Sequence, residues 1–289
     1  VERSRGLGDV YKRQTRNVPI MKSKDLVEWT YCNTAFTNKT RPRFEPKAGI
    51  WAPDINYING KYVLYYAMSV WGGEQTCGIG VATANSPQGP FTDHGKMFRS
   101  NEIGVQNSID PSLLQYEGRN YLVWGSFRGI YVIELTTDGL SIMPGAKKKR
   151  IAGTAFEAVY IHKHDDYYYM FASIGSCCQG VKSTYKVVVG RSKKVWGPYK
   201  DKTGKPMLKN GYSLVIGAND HFVGNGHGSQ IIRDDAGQDW LLYHGFSRST
   251  PENGRILLLD QIKWNQEGWP YVEGGSPSYE TQKAPVFNN

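Results

Sequence analysis

The sequence predicts an all-β chain, on three observations: one hairpin plan recurs four times, helical periodicity is missing, and the composition suits short strands with tight turns. The recurring segments are WAPDINYINGKYVLYYA from Trp51, SIDPSLLQYEGRNYLVWGS from Ser108, FEAVYIHKHDDYYYMFAS from Phe156 and GHGSQIIRDDAGQDWLLYHG from Gly226. Each opens on a polar or charged residue, crosses a Gly, Asn or Asp turn and returns as an aromatic-rich strand, which is how a hairpin reads. No segment holds an apolar i, i+3, i+4 pattern for three turns. The 33 glycines, 14 prolines and 19 tyrosines fit many short strands with tight turns instead.

Taken in order, the elements form half-blades. A second pair of strands follows each hairpin: CGIGVATANSPQGPFTDHG from Cys77, GIYVIELTTDGLSIM from Gly129, YKVVVGRSKKVWGPYKD from Tyr185 and RILLLDQIKWNQEGWPYV from Arg255. Repeats of roughly 40 to 60 residues with about four short strands each are the mark of a β-propeller, whose innermost strands face one central channel. A fifth outer half, VPIMKSKDLVEWTYCNTAF from Val18, has no inner half before it. The expected fold is therefore a five-bladed β-propeller with its first blade incomplete. Upstream of Val18 the chain is basic and lacks two-strand alternation, so residues 1–14 are read as a non-native or disordered segment and excluded. Residues 15–289 are expected to form a single catalytic domain, a size that can bury a substantial core.

Composition narrows the partners. The net charge of +9 could suggest nucleic acid, but the basic residues are scattered or sit in turns, as in Lys147, Lys148, Lys149 and Arg150. No nucleic acid is expected. No apolar run approaches the 18 or more residues of a membrane span, so no membrane is expected either. The four cysteines, Cys32, Cys77, Cys177 and Cys178, lack zinc-site spacing, and the adjacent pair is placed at the channel rim.

Near the start of each inner strand stands an acid or a histidine: Asp54, Asp110, Glu157, His227. A lone acid at a strand start ordinarily caps a turn, but four corresponding positions converge on one channel. Glycoside hydrolysis needs one protonated carboxylic acid to donate to the leaving oxygen and one carboxylate to activate water or attack. Glu157 has Ala155, Phe156, Ala158 and Val159 around it, and apolar neighbours raise a carboxyl pKa, which suits a general acid. Asp110 lies between Ser108 and Ser112, a more polar setting expected to favour the ionised form. Asp54 carries the weakest claim, since WAPDI can place Trp51 at the channel while Asp54 bonds backbone. Aromatic faces suit sugar rings, so Trp51, Phe127 and Tyr160, with Trp71 nearby, are the expected substrate contacts, together with Asp54 and Ser108.

From Val18 to its end the chain resembles glycoside hydrolase family 43, and within it the endo-α-1,5-L-arabinanases. The resemblance is carried by SKDLVEW (23–29), WAPDI (51–55), SIDPSLL (108–114), GSFRGIY (125–131), FEAVYI (156–161), SIGSCCQGVKSTYKVVVGRS (173–192) and NGHGSQII (225–232) with DWLLYH after it. It implies a secreted or cell-surface enzyme that cuts plant cell-wall arabinan or arabino-oligosaccharides with inversion, using a general-base Asp, an Asp that tunes the acid, and a general-acid Glu. Glu157 resembles the general acid and Asp110 the tuning Asp. His227 resembles a channel histidine facing a hydrated calcium ion near the propeller axis, held mainly through water because calcium prefers oxygen. No organic cofactor is implied. The family's base lies in an HDPS-like stretch upstream of the SKDL turn. Asp9 lacks the following proline and Asp25 belongs to the turn, so the chain is expected to lack its base, to act poorly and to be a monomer able to associate through the incomplete blade. Exo-acting arabinofuranosidase or β-xylosidase action, and a non-catalytic carbohydrate-binding propeller, are the competing readings.

Overall fold

In the computed structural model, which describes residues 17–288, the chain is all-β, with helix limited to the single turn α1 (Ser100–Ile103) and short 3-10 turns. The expected segment 1–14 lies outside the described residues. A two-stranded antiparallel sheet comes first, β1 (Asn17–Lys22) with β2 (Thr30–Phe36). Three four-stranded meanders follow. They are β3 (Gly49–Ile58), β4 (Lys61–Ser69), β5 (Gly78–Ala84) and β6 (Thr92–Arg99); β7 (Ser112–Tyr116), β8 (Arg119–Trp124), β9 (Ile130–Glu134) and β10 (Lys149–Ala152); and β11 (Glu157–His164), β12 (Tyr167–Ile174), β13 (Lys186–Ser192) and β14 (Ser213–Ile216). The last sheet runs β15 (Phe222–Gly226), β17 (Asp239–Ser247), β18 (Arg255–Trp264) and β19 (Pro270–Tyr271), with β16 (Ile232–Arg233) also paired to β17.

The inner hairpins turn where the sequence places Asn-Gly and Glu-Gly. Asn59 and Gly60 have φ of 47° and 81°, and Glu117 and Gly118 have 49° and 72°. Two consecutive positive φ values match the twist of the flanking strands in a two-residue hairpin.

Period-two alternation then sorts the side chains between neighbouring sheets. On β4, Leu64, Tyr66 and Met68 pack with Val18, Ala35 and Phe36 of the first sheet, while Val63 and Tyr65 pack with Leu122, Trp124 and Ile133 of the third. The third sheet meets the fourth through Val123, Val132, Met170 and Val188, and the fourth meets the fifth through Tyr160, Phe171, Val187, Leu241 and Tyr243. The second, third and fourth sheets are thus each packed between the sheets before and after them in the chain. This is a propeller arrangement with four complete blades, consistent with the near-continuous apolar runs of the middle strands. Trp196, Trp264 and Trp269 pack between blades.

Two faces are left bare. Ile55 and Tyr57 of β3, on the side away from Ile58 and its cluster, are 46% and 61% exposed, and Leu257 of β18 is 49% exposed. Among the described residues no apolar cluster joins the last sheet to the first.

Candidate active site

A backbone feature recurs at one level of the inner strands. Ala52, Asp110, Ala158 and His227 all adopt left-handed φ values, 44°, 57°, 52° and 51°. The ladders shift register beside three of them, between Trp51 and Asp54, Glu157 and Tyr160, and Val223 and Gly226. Such conformations in non-glycine residues cost on the order of 1–3 kcal/mol each and persist only where the surroundings enforce them. Bulges of this kind re-aim side chains. Here they bring the strand openings of separate blades together.

Asp110 and Glu157 become neighbours. The N–H of Ala158, next to Glu157 in the chain, donates to Asp110 Oδ2 at 3.1 Å, and the two carboxylates are 7% and 8% exposed. Burial pushes Asp110 up from 3.8 to about 7, offset in part by the Ala158 hydrogen bond. Burial and then the negative charge of Asp110 push Glu157 up from 4.5 to about 7, while the Tyr185 hydroxyl, the Ser126 hydroxyl and His227 act in the opposite direction. A carboxyl group poised near 7 can hold a proton at neutral pH and give it away in the transition state. The expectation that Asp110 sits in a polar, charge-favouring setting is corrected. The Ser108 hydroxyl is turned away to Val105 and the Trp124 indole, and the hydrogen bond that Asp110 receives comes from backbone.

Three further groups belong to this site and went unnoticed in the sequence. The Ser126 hydroxyl donates to Glu157 Oε2 at 2.7 Å, and Asn107 Nδ2 donates to the Ser126 carbonyl and hydroxyl oxygens at 3.0 Å each. Tyr185, 1% exposed, lies beside both carboxylates, whose charges add to burial in raising its pKa. Ser126 stands in the GSFRGIY motif that had suggested Phe127, so the motif itself was the available signal.

His227 donates its backbone N–H to Ser173 Oγ at 2.8 Å, and burial lowers its pKa despite the charge of Glu157. Its neutral imidazole stands 6.3 Å, centroid to centroid, from that of His244, which lies 5.7 Å from the ring of Tyr185. Both ring nitrogens of His244 and Asn225 Oδ1 are buried without a protein partner, whereas the Tyr185 hydroxyl faces Glu157 and Ser173. A concentration of unpaired buried polar atoms near the axis calls for water or a hydrated ion. With an imidazole as the nearest free ligand, the donor set fits a cation that keeps its water shell.

The expected substrate contacts divide. Trp51 is partly buried against Ala67, Cys77 and Ile109, beside Asp110, and Phe127 is partly buried with its N–H on the Phe156 carbonyl at 2.9 Å. Both lie at the level of the carboxylates. The other three are engaged elsewhere in the packing. Asp54 accepts hydrogen bonds from Leu113 N and Asn56 Nδ2, both at 2.7 Å, tying the second sheet to the third; burial raises its pKa to about 6. Ser108 is fully buried. Tyr160 is 5% exposed and stacks on Phe171 at 5.1 Å, inside the packing between the last two blades. Trp71 is 82% exposed on the β4–β5 connection, near the pair in which Arg128 binds Glu74 with two N–H groups at 3.0 Å. Cys177 and Cys178 form a disulfide on the β12–β13 connection, which leads into Tyr185.

Comparison with known proteins agrees with this geometry. The family model described as glycosyl hydrolases family 43 matches residues 10–270. An extracellular endo-alpha-(1->5)-L-arabinanase of Bacillus subtilis is 36% identical over 89% of this chain and 80% of its own length. An extracellular exo-alpha-(1->5)-L-arabinofuranosidase of Cellvibrio japonicus is also 36% identical, with the same coverage. Among solved structures, a Cellvibrio cellulosa alpha-L-arabinanase complexed with arabinohexaose superposes with a TM-score of 0.81 at 34% identity, covering 89% of each chain. A family 43 endo-arabinanase from Bacillus licheniformis gives 0.76 at 32% identity, covering 89% of this chain and 91% of that one. With a buried carboxyl pair at the converging strand openings, a matching propeller and a family match over most of its length, this chain belongs to glycosyl hydrolases family 43.

Proposed function

We propose that this chain is the catalytic propeller of an endo-acting, inverting hydrolase of α-1,5-linked L-arabinan. One observation carries the reading: the Ala158 N–H on Asp110 holds a second carboxylate against Glu157, far away in sequence. Glu157 is the general acid, donating to the leaving oxygen. Asp110 keeps it protonated through its charge, and Ser126 fixes the orientation of the Glu157 carboxyl. Trp51 and Phe127 provide aromatic faces for the sugar.

Inversion also requires a carboxylate that deprotonates the attacking water. Neither β1 nor β2 carries an acidic residue, so the base is assigned to chain outside the described residues. The bare faces of β3 and β18 support the same conclusion, because inner strands completing the first blade, that of β1 and β2, would cover them. Without that base, turnover is expected to be lower by roughly 10² to 10⁴. Near the axis, His227 would hold a hydrated calcium ion through water, and the ion would supply positive charge to the site. The extracellular names of the relatives support secretion; among the described residues no helix is long and apolar enough to cross a membrane.

The test is digestion of linear α-1,5-arabinan with the first blade's inner strands supplied, following products by chromatography and the new reducing end by NMR. A ladder of oligosaccharides of inverted configuration, lost in Glu157→Gln, is expected. Release of one short product from chain ends would establish the exo-acting reading, which the Cellvibrio japonicus relative favours. No cleavage with Glu157 intact would overturn the substrate.

A further inference from the structure

The inner strand β11 begins at Glu157 and ends at His164, which puts its two ends roughly 23 Å apart at about 3.3 Å per residue. At the end remote from the carboxyl pair, His162 and His164 are two residues apart on β11 and therefore share a face. Asp239, the first residue of β17 in the next blade, meets them there. One ligand atom from each of the three lies within 4.8 Å of the other two.

The surroundings hold these groups in place. Asp239 is 3% exposed; its Oδ2 accepts the Trp264 indole N–H at 2.8 Å and its Oδ1 accepts Arg233 Nε at 2.9 Å. The His164 ring stacks on Trp264 at 3.6 Å with 4° between planes, and Tyr169 packs edge-on against the same indole at 4.8 Å. Outer-shell donors on a carboxylate and a fixed imidazole plane are what a metal ligand set requires. Two imidazoles and one carboxylate suit zinc and its neighbours and do not suit calcium. Tetrahedral bonds of about 2.0–2.1 Å put ligand atoms about 3.3 Å apart, so rotations at the strand ends close the remaining gap.

We propose that His162, His164 and Asp239 form a site for a divalent transition-metal ion, zinc in the first instance, that fastens the fourth blade to the fifth at the end of the propeller opposite the carboxyl pair. The opposing charge is Arg233. Its side chain is 60% exposed, so it can swing into solvent when a cation takes its place.

The experiment uses protein stripped with chelator and returned to calcium-containing buffer, titrated with Zn²⁺ by calorimetry and with Co²⁺ by visible absorption. One equivalent is expected, with the intense visible bands of four-coordinate cobalt and a rise in melting temperature. His162→Gln/His164→Gln should weaken binding by at least about ten-fold, His227→Ala should leave it intact, and Arg233→Gln, which keeps all three ligands, should tighten it. Near-UV circular dichroism without metal establishes that each variant is folded; should the double variant unfold, the single histidine variants and Asp239→Asn carry the same test. Absence of saturable binding, binding unchanged by the histidine substitutions, or binding lost in His227→Ala would each overturn the site.

Discussion

Replacing Glu157 by Gln should stabilise the protein, but only above acidic pH. Glu157 is 8% exposed and its pKa is raised from 4.5 to about 7 by burial and by the charge of Asp110. Below pH 4.5 the folded and unfolded chains both carry the proton, and the shift costs nothing. Between 4.5 and 7 the unfolded chain ionises first, so stability falls as pH rises; above about 7 the loss is complete. At 1.36 kcal/mol for each pH unit it amounts to about 3 kcal/mol. Gln cannot ionise and escapes the loss, while its amide oxygen still accepts the Ser126 hydroxyl. Exchanging a charge-assisted bond for a neutral one costs about 1 kcal/mol, leaving a gain of about 2–3 kcal/mol at pH 8. That is roughly 5–10 °C in melting temperature for a domain of this size. Asp54, raised to about 6, is present in both proteins and largely cancels. The assay is urea denaturation of parent and variant at pH 4 and pH 8, comparing midpoints at equal slope. A variant no more stable than the parent at pH 8, or equally stabilised at both pH values, would refute the claim that this carboxyl is held protonated by its surroundings.

Four other outcomes follow from the same geometry. Ser126→Ala removes the donor that favours ionised Glu157, so the basic limb of the kcat/KM profile should move up by roughly one pH unit; a downward move would reverse the assigned role. Asp54→Ala leaves the Leu113 N–H without its partner and should cost about 1–3 kcal/mol, read by denaturation, with substrate affinity unchanged. Trp71→Ala should raise KM for long arabinan by about 2- to 10-fold at constant kcat, the signature of binding equal in ground and transition states. Finally, azide needs no base to attack. In a form without the first blade's inner strands it should raise turnover by at least about ten-fold and yield the glycosyl azide, and it should fail in Glu157→Gln.

How much of this was readable without coordinates depends on whether a contact lies within a blade or across blades. Hairpins such as Trp51–Ala67 announce themselves because alternation, turn residues and aromatic content agree over one short stretch. Asp110 and Glu157 were readable for the same reason, as openings of repeated strands. What aims them was hidden. The left-handed residues at the strand openings are Ala52, Asp110, Ala158 and His227, none a glycine, so no residue type marks the turn. Counting from those residues, Glu157 lies one position before its bulge residue and Asp54 two after. That offset sends one carboxyl to its neighbour in the site and the other to the Leu113 backbone.

Tyr160 and Ser126 show the two kinds of error that follow. Tyr160 is three residues from Glu157, close enough in sequence to suggest a shared site. Beyond the register shift, however, its ring enters the seam with Phe171, and alternation alone cannot tell a seam between blades from a channel. Ser126 is 31 residues from the acid it bonds, at the end of a strand in the preceding blade, so nothing local connects them. In a propeller the local pattern decides which residues are strand and which are core. The chemistry is assembled from the openings of different strands, and its partners are chosen by bulge offsets of one or two residues. The carboxyl proposed as the proton donor could therefore be singled out from its own neighbours, whereas the hydroxyl bonded to it could be found only from the blade before.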